Sequence, residues 1–441
     1  MNSVTLRTRN TVFSLTGLIC VLAFLLLAFP FSRGRSSDAR PGFVSTETKE
    51  GRLAVFDNVW DTIDDRYYDP KFGGVDWTGR STAYRQAAAN AKNSRELYAV
   101  LRRMIGTLND PHTRVYPPEE KFDWWRPRFV TIGVVVREIE GTPTVVQVDP
   151  KSEAARAGIR SGDQIAAVDG VSVRDALQKK LDHETPAGGS RTARFRAVAT
   201  LFEGDAETPI LVSWKNKSGK TKSQTLTRYW NQYQLGFRIS RKQNFVIVET
   251  EGFTQELVIK LLRALSDKLA NANGVVLDLR RNGGGDADAM AEIADLFLPK
   301  GIDLGSFTDR AGSTLQLIAH GKSVFPPVSK KSARPPLAVL VSERTSSAAE
   351  ILAAALQAQH RAHIIGTPTC GCVLAIRSRY TLPDDGVLDV SEFDYRTAAG
   401  LRLEGRGVQP EVIVMPQRRD LYAKRDRALE TAVSLMTEDK K

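Results

Sequence analysis

The chain has 441 residues, 42 % of them hydrophobic and 26 % charged, a composition that suits two or three ordinary globular domains. No internal repeat or low-complexity run is present, and the formal net charge of +11 is spread along the chain without a nucleic-acid motif, so no nucleic-acid partner is expected. Cysteine use is sparse and no zinc-ligand spacing occurs, so neither a metal nor another cofactor is expected.

Residues 12–31, after Arg7 and Arg9, form one uncharged apolar stretch long enough to cross a bilayer. Residues 1–31 are therefore expected to be a signal peptide or signal-anchor helix. No small-x-small cleavage site follows, which favours retention and contact with a membrane. Residues 32–50, rich in Ser, Arg, Pro, Thr and Glu, read as a flexible linker. From Leu53 to Met104 the pattern is helical, with stripes at Phe56, Val59, Trp60 and Ile63 and at Leu97, Leu101 and Met104, within a candidate domain over residues 51–125. Alternation in Ile210-Leu211-Val212-Ser213-Trp214, with a polar turn over 215–222, predicts a hairpin.

In the C-terminal half, Gly274-Val275-Val276-Leu277-Asp278-Leu279 predicts a buried strand that runs into Gly283-Gly284-Gly285. A helix follows, with Met290, Ile293, Ala294 and Phe297 on one stripe. Consecutive glycines serve where the backbone needs positive φ or another group comes very close. They are a tight turn, or a loop whose Gly284 N–H points into a site. A second apolar strand, Leu337-Ala338-Val339-Leu340-Val341, is followed by a polar break and an alanine- and leucine-rich helix from Ser347. Ser347 thus sits where a strand becomes a helix N-terminus, and the N–H groups and dipole there can stabilise a developing oxyanion. Ser347-Ala348-Ala349-Glu350 is equally a capping box, in which a serine does no more than satisfy a helix end.

Leu277-Asp278-Leu279-Arg280-Arg281-Asn282-Gly283-Gly284-Gly285 resembles the signature of the carboxyl-terminal processing, or tail-specific, serine peptidases. The segment 341–351 resembles their nucleophile region, 364–369 their next strand and turn, and Gly405-Arg406-Gly407-Val408-Gln409-Pro410-Glu411 their closing element. The resemblance implies an α/β fold: a crotonase-like protease core of strand and helix layers at 231–441, with an inserted PDZ β-domain and the N-terminal helical cap. It makes Ser347 the nucleophile and the Ala348 and Gly284 N–H groups the oxyanion hole. Where most members carry a lysine base this chain has Cys372, within Thr369-Cys370-Gly371-Cys372. A disulfide between Cys370 and Cys372 is expected to be strained at that spacing. Leu108-Asn109-Asp110-Pro111-His112-Thr113 resembles the segment from which the tricorn-core branch draws a histidine base, and Glu404 matches that branch's glutamate. The resemblance therefore implies a Ser347–His112–Glu404 arrangement, since a histidine can take a hydroxyl proton and a carboxylate can orient it. Pro111 stands where the tricorn pattern has a serine.

Residues 126–230 resemble a PDZ domain, with Ile132-Gly133-Val134 in the place of its carboxylate-binding loop and 152–170 as its helix, Gly-Asp turn and following strand. Such modules add an extended peptide to a sheet edge and hold its terminal carboxylate on backbone N–H groups. The expected partners are protein or peptide substrates with free C-termini, and the expected location is extracytoplasmic (periplasmic or lumenal), membrane-anchored or secreted. The alternative is a PDZ-containing, peptide-binding scaffold of the same fold, without catalysis.

Overall fold

The computed structural model describes residues 43–120, 128–184, 191–232, 234–265, 268–269, 272–321 and 335–438. The apolar stretch 12–31 and residues 32–42 of the expected linker lie outside them. Among the described residues no helix is long and apolar enough to cross a membrane.

The core is a six-stranded sheet in the order Phe237–Lys242, Phe245–Thr250, Gly274–Asp278, Leu337–Val341, His363–Gly366 and Val412–Ile413. All neighbours are parallel except the first pair. Gly274–Asp278 and Leu337–Val341 are buried along their whole length, as central strands covered on both faces must be. Their side chains divide with the period of two. Val275, Leu277, Leu337, Val339 and Val341 pack into one core with the helices Gln255–Leu265, Ala287–Ala294 and Ala348–Ala358. Val276, Ala338 and Leu340 face the other way, onto Ala428, Ala432, Val433 and Met436 of the C-terminal helix Arg427–Glu438. The loops carrying the glycines, Ser347 and Cys372 all leave the carboxyl ends of adjacent parallel strands, where open α/β sheets place their sites.

A second sheet runs Arg114–Tyr116, Val387–Arg396, Asp303–Asp309, Thr314–Ile318, with Ala375–Thr381 also paired to Val387–Arg396. Arg114–Tyr116 follows His112 directly, and its register pairs Arg114 with Asp389 and Val115 with Leu388. The segment around His112, expected as part of the cap, is therefore stitched into a sheet of the C-terminal half. The helices Lys49–Arg66, Trp77–Asn90 and Ser94–Gly106 pack on that sheet, burying Phe56, Val59, Ile63, Leu97, Leu101 and Met104 against Leu388 and Val390. Trp60 is only partly buried, at the rim of its stripe.

The chain enters and leaves the PDZ-like segment through a two-stranded ribbon, Arg128–Thr131 with Tyr229–Gln232. Between them lies a sheet in the order Val134–Ile139, Thr142–Val148, Gln164–Val168, Pro209–Lys215, Thr221–Thr227. Its last two strands form the expected hairpin, and its core closes around Ile132, Val145, Ile165 and Trp214. Arg137 on its first strand forms an ion pair with Glu343 in the loop before Ser347, and Tyr422 donates to Asp163, so this unit is fastened to the protease core.

Candidate active site

Ser347 stands at the N-cap of the helix Ala348–Ala358 with φ +55° and ψ −130°, a conformation a non-glycine residue holds only when its surroundings impose it. The polar break that precedes it supplies those surroundings. Ser342 Oγ donates to Arg280 O at 2.7 Å, Thr345 Oγ1 to Leu279 O at 2.8 Å and Ser346 Oγ to Gly283 O at 3.1 Å, lacing the serine loop to the glycine loop.

The capping box has a larger role than a helix end requires. Glu350, fully buried, accepts from Ser347 N at 3.2 Å, Gly371 N at 2.8 Å and Cys372 N at 2.9 Å, and also from Thr369 Oγ1. Burial pushes its carboxyl up, and the donors from Thr369, Cys372, Gly371 and Ser347 pull it back. Ser347 N also reaches Cys372 O at 2.8 Å. The nucleophile turn and the segment 369–372 are thereby one unit.

Gly284 lies against this turn. With φ +90°, a Cβ built on it would stand 2.6 Å from Ser347 Cβ and 3.0 Å from Ala348 N. Ala348 opens its helix, so its N–H has no acceptor within that helix and is available to an oxyanion. The Gly284 N–H donates to Asn282 Oδ1 at 2.8 Å, so in this state one of the two expected oxyanion donors is engaged. Asn282 is completely buried and its Nδ2 has no partner. It stands within the quoted motif, yet only the folded chain reveals where its side chain goes.

Among the described residues no hydrogen bond joins His112 to Ser347 or to Glu404. His112 Nδ1 is buried without a hydrogen-bond partner, 3.8 Å from Asp110 Oδ1, and the side chain keeps 14 % of its surface exposed. Burial pulls its pKa down to about 4; Asp110 opposes this, while Arg114 and Arg196 add to it. Glu404 accepts from Val373 N at 2.7 Å and Leu374 N at 3.1 Å, one residue beyond the carbonyl that holds Ser347. Burial, with Asp110 and Glu350 nearby, pushes it up to about 8 against the pull of those two N–H groups. Asp110 thus bears on both His112 and Glu404.

Cys370 and Cys372 are joined as a disulfide across Gly371. In the PDZ-like unit Ile132 is buried in the core and Val134 heads the first strand. Gly133, at φ +84°, donates its N–H to Thr131 Oγ1 at 3.0 Å and accepts from Asp149 N at 2.8 Å, so its N–H is engaged within the loop. Among the described residues no cluster of His, Cys, Asp and Glu has the arrangement of a metal site.

With a serine on a strained turn beside two converging backbone loops, the fold and site are those of a serine-type peptidase. Residues 244–414 match Peptidase family S41, 49–106 the Tricorn protease C1 domain and 144–180 the PDZ domain. Over 393 residues the chain is 29 % identical to carboxyl-terminal-processing peptidase 2, chloroplastic, of Arabidopsis thaliana, covering 85 % of this chain and 70 % of that protein. It is 27 % identical over 403 residues to the carboxyl-terminal-processing protease of Picosynechococcus sp., covering 86 % and 88 %. The photosystem II D1 C-terminal processing protease superposes with a TM-score of 0.55 at 25 % identity, over 82 % of this chain and 93 % of that one. The chain is thus similar to the carboxyl-terminal-processing peptidases in its Peptidase S41 region, its PDZ domain and its N-terminal helical region.

Gly284→Ala tests the close approach of the two loops. Its Cβ collides with Ser347, so peptide hydrolysis is expected to fall at least about 100-fold, the scale of losing one oxyanion donor, while circular dichroism stays native. Unchanged turnover in the folded variant would show that this approach plays no part in catalysis.

Proposed function

We propose that this protein is a serine endopeptidase that cuts extracytoplasmic proteins or peptides near their C-termini through an acyl-enzyme. Ser347 is the nucleophile, His112 its general base, and Ala348 and Gly284 supply the oxyanion N–H groups. The observation that carries this is Ser347 held at φ +55° at a helix N-terminus, with Gly284 packed against its Cβ. His112 takes the hydroxyl proton as Oγ attacks the carbonyl carbon, then delivers it to the departing amine as the C–N bond breaks; water repeats the sequence on the ester. Catalytic hydrogen bonds often close only on substrate binding, and the resting separation of His112 from Ser347 belongs to that class. The oxyanion that forms must likewise win the Gly284 N–H from Asn282. Glu404 supports the site by fixing the backbone of Val373 and Leu374, next to the Cys372 carbonyl that holds Ser347. The extracytoplasmic location rests on the N-terminal apolar stretch and on relatives such as the chloroplastic peptidase.

Ser347→Ala and His112→Ala are each expected to lower peptide hydrolysis by several orders of magnitude, roughly 10⁴ or more. The double variant should be no worse, because a nucleophile and its base act as a unit. Glu404→Gln should cost less, since an amide oxygen can still accept from Val373 and Leu374. The imidazole must be uncharged to act, and burial together with Arg114 and Arg196 disfavours its charged form. The acid limb of kcat/KM should therefore lie near 4, below the ordinary histidine value of about 6.5. A folded His112→Ala variant with near-wild-type hydrolysis would remove the histidine from the mechanism.

The PDZ loop reads the substrate's tail in this account. In a calorimetric titration of Ser347→Ala, a peptide with a free apolar C-terminus is expected to bind more tightly than the same peptide amidated, because only a carboxylate competes for the N–H groups of 132–134. Equal binding of the two would end the tail-reading role.

A further inference from the structure

Asp110 is a buried carboxylate that the Ser347–His112–Glu404 scheme leaves without a task. Its side chain is 1 % exposed and lies two residues before His112, held by three donors. Oδ1 accepts the His112 N–H at 2.8 Å; Oδ2 accepts the Thr113 N–H at 3.2 Å and also the Thr113 hydroxyl. The Thr113 hydroxyl oxygen in turn accepts from Ser391 N at 3.0 Å, so the carboxylate is referenced to the second sheet and does not float with its loop. His112 Nδ1 stands 3.8 Å from Oδ1, buried and without any hydrogen bond. A buried ring nitrogen beside a fixed carboxylate is best satisfied as N–H, and that tautomer leaves Nε2 with its lone pair.

Building on the proposal that His112 is the base, we propose that Asp110 is its positioning carboxylate: it selects the Nδ1–H tautomer, aims Nε2 at Ser347 and offsets the charge of the imidazolium. In the chemical step the Ser347 proton moves to Nε2 as the Oγ–C bond forms, and Nδ1 keeps its own proton, so none passes to Asp110. The proton on Nε2 then leaves with the amine as the C–N bond breaks.

The other charged groups around His112 make Asp110's task specific. Arg114, on the same segment, and Arg196, on the helix Arg191–Ala199, both disfavour the imidazolium. Against these two, Asp110 favours it. Glu404 is a poor candidate for the same task. Its Oε2 is spent on Val373 and Leu374, no hydrogen bond among the described residues joins it to His112, and burial disfavours its charged form. Tyr67, buried beside Asp110 and Glu404, is pushed up by burial and stays neutral.

Three measurements on the full chain decide this. In ¹⁵N-histidine-labelled Ser347→Ala protein, with the His112 signals assigned by their loss in the additional His112→Ala variant, Nδ1 is expected to be the protonated nitrogen and Nε2 the bare one near pH 7. Asp110→Asn, which keeps the size and one acceptor oxygen, is expected to mix or reverse that tautomer. In the otherwise wild-type chain it should lower kcat/KM at least about 100-fold. Combined with His112→Ala it should add no further loss, whereas a merely structural aspartate would add its own. Asp110→Glu should restore part of the rate. An Nε2–H tautomer in the Ser347→Ala protein overturns the proposal even if Asp110→Asn fails to fold. So does an Asp110→Asn variant with an unchanged tautomer or rate. The underlying scheme fails separately: His112→Ala would then hydrolyse peptides at near the wild-type rate, whatever Asp110→Asn does.

Discussion

The site depends on one buried carboxylate. Glu350 gathers donors from Ser347, Thr369, Gly371 and Cys372, groups that lie on two different strand-to-loop junctions of the central sheet. Without it, the Gly371 and Cys372 N–H groups would be left unpaired in the interior, each at a cost of about 1–3 kcal/mol. Because Glu350 sits on the first turn of the helix that Ser347 caps, the same contact fixes the serine's positive φ and the path of the chain that leads to Glu404. The glycine loop then has only one place to lie, against Ser347, and a side chain at Gly284 would not fit there.

The apolar runs of Gly274–Asp278 and Leu337–Val341 announce themselves because both faces of these strands are covered, so alternation is absent and the whole run is apolar. The position of Ser347 at a helix start is equally visible, since a serine three residues before a glutamate marks helix entry in any fold. What the glutamate does beyond capping is not visible, because its other partners are about twenty residues away and reached only when two parallel strands align. The three-residue strand Arg114–Tyr116 is too short to leave a period, yet it carries His112 into the C-terminal half. Asn282 and Asp110 stand in recognisable motifs, but a motif records residue type and not the direction of a side chain. The spacing of Cys370 and Cys372 does not by itself announce a disulfide; the turn at Gly371, with φ +71°, brings the two Cα atoms to 5.2 Å.

Two neighbouring carboxyl groups, Asp110 and Glu404, differ in their surroundings. Asp110 accepts from donors at both oxygens, while Glu404 has two N–H groups on one oxygen and lies deep in the protein beside other acids. Environments that push neighbouring titratable groups apart are a common way of separating roles in an active site. Here Asp110 stands 3.8 Å from the imidazole Nδ1, while Glu404, pushed up by burial, holds the backbone of Val373 and Leu374 beside the nucleophile's supporting segment.

The claim that Ser347 is a nucleophile activated by His112 is open to a direct chemical measurement. An organophosphorus fluoridate transfers its phosphoryl group to an activated serine oxygen, releasing fluoride, and peptide mass mapping locates the adduct. In the native protein a single adduct is expected on Ser347, and the same exposure of the His112→Ala variant should leave Ser347 unmodified. Phosphorylation of a different residue, or equal labelling of Ser347 with and without His112, would contradict the account.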